Sequence, residues 1–229
     1  ESRDDSVIMY LHGGGYIMGN NVAYREFASR IARACRARVL VVNYRLAPEH
    51  KYPAALDDAV MAYRWLLDQG VGSETITISG DSAGGGLTLT TMLALREAGH
   101  ALPKCAVCFS PWTDLAGTGE SCKPGVVDDP VSDSESLLLI GDIYVGQDKR
   151  NPLVSPIYAD LCGLPPLCVF VGTREILFSD STRLVENARR DGVDVSLTIG
   201  EGLAHIWPVF PIPESIKSLS DMADFIEAQ

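Results

Sequence analysis

Ser82, Glu175 and His205 have the side-chain types that an activated-hydroxyl reaction requires: a nucleophile, a carboxylate and a base. Ser82 lies in Gly80-Asp81-Ser82-Ala83-Gly84, a Gly-x-Ser-x-Gly pattern. The β-branched run Thr75–Ser79 precedes it, and an apolar helical pattern from Leu87 to Leu95 follows. Strand, abrupt turn and helix form the setting of a nucleophile elbow, where a strained turn pushes the serine hydroxyl above the sheet edge. Gly80 and Gly84 leave room for strand and helix to cross closely. A glycine-rich turn before a helix also suits a phosphate cradle. No Gly-Lys-Ser/Thr follows, however, and Asp81-Ser82-Ala83 fills positions that a pyrophosphate would need clear.

The other parts of an acyl-transfer site occur in matching order. His205 follows the last strand by a few residues, in Gly202-Leu203-Ala204-His205, and is the expected base; His50 lies in a connecting loop and His100 beyond a helix end. Serine, acid, then histidine is the chain order used by nucleophile-elbow enzymes. Glu175 leaves the end of the penultimate strand and is the expected acid. Asp180 is the alternative, although helix capping explains it without catalysis. Oxyanion donors are expected from the amide of Ala83, at a helix start, and from Gly13, Gly14 and Gly15, directly after the first strand. A glycine triplet is costly to order, which argues for a purpose there.

Positioning these groups takes alternating elements. Strands are expected at Val7–Leu11, Arg38–Asn43, Thr75–Ser79, Ala106–Phe109, Leu167–Val171 and Asp194–Ile199. Helical periodicity falls at Tyr24–Cys35, Asp57–Leu67, Leu87–Leu95, Ser134–Tyr144, Asp180–Arg190 and Ser215–Glu227. That alternation predicts an α/β fold, a mostly parallel doubly wound sheet flanked by helices. The active groups of such a sheet gather beyond the carboxyl ends of its strands. Residues 1–229 read as one domain, with the 116–160 excursion as a candidate lid.

Composition narrows the partners. The chain has 229 residues, 46% hydrophobic and 21% charged, with a formal net charge of −11. Such a balance suits a globular core and disfavours nucleic acid or anionic membrane surfaces. No apolar run reaches the length of a membrane span. Cys105 and Cys108 are formally C-x-x-C, but on a strand they point to opposite faces and cannot share a metal. Free buried thiols are expected, which favours a reducing, cytoplasmic compartment. The chain starts at Glu1 without a recognisable signal peptide, and an N-terminal extension in the natural protein is expected.

Several ordered motifs carry a family resemblance. They are His12-Gly13-Gly14-Gly15, Tyr44-Arg45-Leu46-Ala47-Pro48-Glu49-His50 with Pro53-Ala54-Ala55 and Asp57, Gly80-Asp81-Ser82-Ala83-Gly84-Gly85, Ser110-Pro111-Trp112, and Gly202 to His205. Together the chain resembles the hormone-sensitive-lipase family of α/β-hydrolases, the bacterial HGGG carboxylesterases. The resemblance implies a serine carboxylesterase for small esters of short-to-medium acyl chains, with no metal or cofactor and a possible homodimer. It departs in two places. The family's acid is usually Asp in Gly-x-x-Asp-x-Leu, where this chain has Glu175, and nothing here corresponds to the family's N-terminal helical cap. Two rival functions share the motifs: a non-catalytic small-ligand receptor, of a kind that loses the histidine this chain keeps, and an amidase or acetyl-hydrolase with the same catalytic parts.

Overall fold

The apolar β-branched runs pair into one sheet in the computed structural model, which describes residues 6–229. Its six strands are β1 (Val7–Leu11), β2 (Arg38–Val42), β3 (Ile76–Asp81), β4 (Cys105–Phe109), β5 (Leu167–Arg174) and β6 (Val195–Ala204). All neighbouring pairs are parallel, in the order β2-β1-β3-β4-β5-β6. Every residue of β1, β3 and β4 is buried, as expected of strands covered on both faces.

Side-chain alternation divides the interior into two cores. One face of the sheet, with Met9, Ile78, Ala106 and Cys108, packs under helices α2 (Ala54–Asp68), α3 (Ala83–Glu97) and α5 (Phe178–Arg190). The other, with Ile8, Tyr10, Cys105 and Val107, packs under α1 (Arg25–Cys35) and α6 (Pro213–Ala228). Cys105 and Cys108 therefore face opposite cores, and the six cysteines are unpaired. The remaining helix, α4 (Ser134–Val145), starts at an Asp133 cap whose side chain accepts from the Ser136 amide. It is the one α-helix inside 116–160; single turns at Glu120–Cys122 and Pro156–Tyr158 flank it. Among the described residues, no helix is long and apolar enough to cross a membrane.

Element ends differ from the periodicity in instructive ways. β3 runs on to Asp81, directly to the serine, because it pairs with β4 through Asp81↔Phe109. β5 and β6 extend to Arg174 and Ala204, a pairing kept across an irregularity between Gly172 and Arg174. Helix α6 begins at Pro213, which suits the first helical position because proline lacks an amide hydrogen.

The strand order creates the crevice. From β1 the chain moves outward to β2, then crosses back to β3 on the other side of β1. The loops leaving β1 and β3 thus diverge from adjacent strands, the topological switch point at which such sheets bind ligands. The register Leu11↔Gly80 sets His12–Gly15 beside the serine turn. The pairs Phe109↔Phe170 and Arg174↔Ala204 carry the same rim onward to Glu175 and His205.

Candidate active site

Ser82 occupies the turn between β3 and α3 with φ 53° and ψ −122°, a conformation that side chains rarely adopt. Neighbouring backbone holds it there. The Ser82 amide donates to Phe109 O (2.9 Å), and Ser82 O accepts from the amides of Gly85 (3.0 Å), Gly86 (3.1 Å) and Trp112 (2.9 Å). The crossing beneath it is tight: a Cβ on Gly84 would overlap the carbonyl oxygens of Leu11 and His12, and one on Gly80 would meet Gly84 O. The strain is maintained by packing that admits only glycine at these two positions.

The structure brings the three predicted polar residues into one relay. His205 Nε2 lies 2.9 Å from Ser82 Oγ, and His205 Nδ1 lies 2.7 Å from Glu175 Oε2. Glu175 and His205 are both buried. Burial alone would lower the pKa of His205, but the hydrogen bond and charge of Glu175 reverse this. Asp129 and Asp81 add to the effect, and the imidazole ends above its ordinary 6.5. Asp180 sits elsewhere. Its Oδ2 accepts from the amides of Thr113 and Asp114 (both 2.8 Å), so it braces the loop after β4 and does not orient His205. Buried, and beside Asp114, it is pushed up to about 7.

The expectation for Gly13 is corrected. Its amide is already engaged, donating to Asp81 Oδ1 (2.9 Å) and to the Tyr24 hydroxyl (3.1 Å). Asp81 is fully buried and also accepts from the hydroxyls of Tyr10 and Tyr24 (both 2.7 Å). Gly13 is thus the anchor of the glycine loop, and its amide is not a free donor. Among the described residues, no acceptor takes the amides of Gly14, Gly15 or Ala83.

His12 braces the same loop from beneath. Its Nδ1 hydrogen bonds to Gly13 O (2.8 Å), and its ring stacks on Tyr44 at 4.3 Å. Burial lowers its pKa, which disfavours the charged ring. From above, Tyr144 of α4 stacks on Tyr16 at 3.9 Å, and Ile140 crowds the space beside Gly15. Tyr16, Trp112 and Trp207 are buried packing residues. Tyr10, Tyr24 and Ser110 also support the site, through hydrogen bonds to Asp81 and Glu175. Only Ser110 had a visible signal, the Ser-Pro-Trp motif at the end of a strand.

Among the described residues, no group of three or more His, Cys, Asp or Glu side chains could hold a metal ion. A surface groove of about 820 Å³, lined by Ser6, Arg36, Thr75 and Lys104, opens at the amino ends of the strands, opposite the serine.

The chain is similar to known hydrolases of the same fold. A family model described as the α/β-hydrolase fold matches residues 8–209. An acetyl-hydrolase of Streptomyces hygroscopicus is 41% identical over 214 residues, covering 91% of this chain and 72% of that protein. An esterase of Acinetobacter venetianus is 36% identical over 223 residues, covering 96% and 74% respectively. Among solved structures, an esterase from the bacterial hormone-sensitive lipase family superimposes with a TM-score of 0.97 at 44% identity, covering all of this chain and 78% of its own. With the strand order, the serine turn and the glycine loop all in place, the chain belongs to the hormone-sensitive-lipase family of the α/β-hydrolase fold and is a carboxylic ester hydrolase.

Proposed function

We propose that the chain hydrolyses small esters of short-to-medium acyl chains through an acyl-enzyme on Ser82. The observation that carries this reading is the unbroken relay from Ser82 Oγ through the His205 ring to Glu175 Oε2, at 2.9 and 2.7 Å. As Ser82 Oγ attacks the ester carbonyl, His205 Nε2 takes its proton, and Glu175 stabilises the imidazolium through Nδ1–H. The amides of Gly14, Gly15 and Ala83 receive the developing oxyanion, with Asp81 holding the loop at Gly13. His205 then gives its proton to the leaving alkoxide, leaving an ester on Ser82. A water, deprotonated by the same nitrogen, hydrolyses that ester and restores the serine.

Residues 116–160 act in this reading as a cover over one domain, with α4 forming the wall beside Gly15. The relative named acetyl-hydrolase, at 41% identity, favours the short end of the acyl range. The buried His205 favours an enzyme over a receptor that has lost its base. The test is hydrolysis of p-nitrophenyl acetate and butyrate by the wild type and Ser82→Ala. The variant should lose on the order of 10³-fold or more in kcat. Comparable turnover by both proteins would reject the proposal.

A further inference from the structure

Ser110 directly follows β4, the strand between those that carry the nucleophile and the acid. Its backbone is fixed in the left-handed region at φ 47°, and its amide donates to Phe170 O of β5 (2.7 Å). The side chain is fully buried. Ser110 Oγ lies 2.8 Å from Glu175 Oε1 and 3.0 Å from the backbone nitrogen of Ile206. An amide can only donate, so Ser110 Oγ accepts from Ile206. The single hydroxyl hydrogen is left for the carboxylate. One hydroxyl therefore touches both the acid and the residue after the base.

Two features make that bridge matter. Glu175 has one more rotatable bond than an aspartate, so its carboxylate needs additional anchoring. Oε1 is held by the Ser110 hydroxyl and the Gly172 amide, which turns Oε2 toward His205 Nδ1. Ile206, a β-branched residue, is itself left-handed at φ 52°, a conformation that needs external support. Its hydrogen bond to Ser110 Oγ supplies part of that support, immediately beside the imidazole.

We propose that Ser110 is a positioning residue for ester hydrolysis, its hydroxyl fixing the Glu175 carboxylate and the His205 backbone in mutual register. This rests on the Ser82–His205–Glu175 reading above. Removing the hydroxyl takes one donor from Oε1 and leaves more negative charge for Oε2 to share with Nδ1–H. His205 then holds its proton more tightly. The charged groups that act on the ring from its surroundings are Glu175 after β5, Asp129 from the 116–160 excursion and Asp81 at the end of β3. The substitution replaces none of these residues and acts on the ring through Glu175.

The experiment compares Ser110→Ala and Ser110→Gly with the wild type and with Glu175→Ala. Glycine adopts a positive φ without strain, so Ser110→Gly removes the hydroxyl while sparing the backbone. Rates on p-nitrophenyl butyrate are measured across pH and normalised to the fraction of sites labelled by a fluorophosphonate. The downfield proton signal of His205 Nδ1–H is recorded in parallel. We expect kcat per labelled site to fall on the order of tenfold, with KM within about twofold. The acidic limb of kcat/KM should move up by about half a pH unit or more, and the Nδ1–H signal should shift. If both Ser110 variants keep the wild-type limb, signal and kcat per site while Glu175→Ala loses activity, the role of Ser110 is refuted and the triad stands. If Glu175→Ala itself keeps the wild-type rate, limb and signal, the triad reading falls and the role of Ser110 falls with it.

Discussion

Asp81 is the most informative residue to remove, because it touches the glycine loop without touching the reacting atoms. Its buried carboxylate accepts from the Tyr10 hydroxyl, the Tyr24 hydroxyl and the Gly13 amide. Asp81→Ala leaves the two hydroxyls without this acceptor, at roughly 1–3 kcal/mol for each, and leaves the Gly13 amide only its longer bond to Tyr24. The sum for the two hydroxyls, about 2–6 kcal/mol, is a large share of the roughly 5–15 kcal/mol that stabilises a typical domain. Asp81→Asn keeps the shape and one acceptor oxygen. That oxygen can serve Gly13 and Tyr10, while the new amide donates to the Tyr24 hydroxyl, which can also accept. It also removes a charge that burial disfavours: desolvation raises the Asp81 pKa, only partly opposed by Tyr24, Tyr10 and Gly13. At about 2–4 °C per kcal/mol for a chain of this length, Asp81→Ala should lower Tm by on the order of 10 °C, and Asp81→Asn by only a few degrees. The alanine variant should also lose more kcat than the asparagine variant, since only alanine removes the side-chain oxygen that holds Gly13. Thermal melts and p-nitrophenyl butyrate kinetics on both variants make the comparison. An alanine variant with wild-type Tm and kcat would refute the role given to Asp81.

Three further outcomes follow from the same geometry. His205 must be neutral to accept the serine proton, and Glu175 raises its pKa above 6.5, so activity should climb as pH rises through a midpoint above 6.5; a midpoint clearly below 6.5 contradicts this. Gly84→Ala places a methyl against the carbonyls of Leu11 and His12, and should cost about 1–3 kcal/mol or more and lower kcat by moving the serine turn from the glycine loop; thermal melts and kinetics check it. Asp180 is raised from 3.8 to about 7, so between those values the folded chain holds a proton that the unfolded chain releases. Its contribution is complete at low pH and lost as pH rises through 7. Asp180→Asn should therefore gain Tm relative to wild type as pH rises from about 4 to 8, and a constant difference would disprove the assignment.

The parts of the site most legible in the sequence were those whose chemistry requires a residue type at a fixed chain position. The serine turn had to be flanked by Gly80 and Gly84, because backbone carbonyls occupy the space of any Cβ there. Glu175 and His205 could be read from their places just after the last strands, and strand alternation separated Cys105 from Cys108. The consequences of packing across distant elements were not legible. Tyr10 lies on β1 and Tyr24 precedes α1, and only the assembled sheet brings both to Asp81, which also engages the Gly13 amide. Asp180 and Glu175 look alike in the chain. They differ because Asp180 faces the amides of Thr113 and Asp114, whereas Glu175 faces the imidazole. Strand ends run beyond the apolar pattern where ladder pairing continues past turn-forming residues, as it does from Gly200 to Ala204.

The central claim is that Ser82, and no other hydroxyl, is made nucleophilic by His205. Its most direct test is mass spectrometry of the intact chain and its peptides after brief exposure to a fluorophosphonate, for wild type and His205→Ala. The account predicts a single phosphonyl adduct on the Ser82 peptide of the wild type, and labelling slower by orders of magnitude in His205→Ala. An adduct on a different residue, or equal labelling rates in the two proteins, would contradict it.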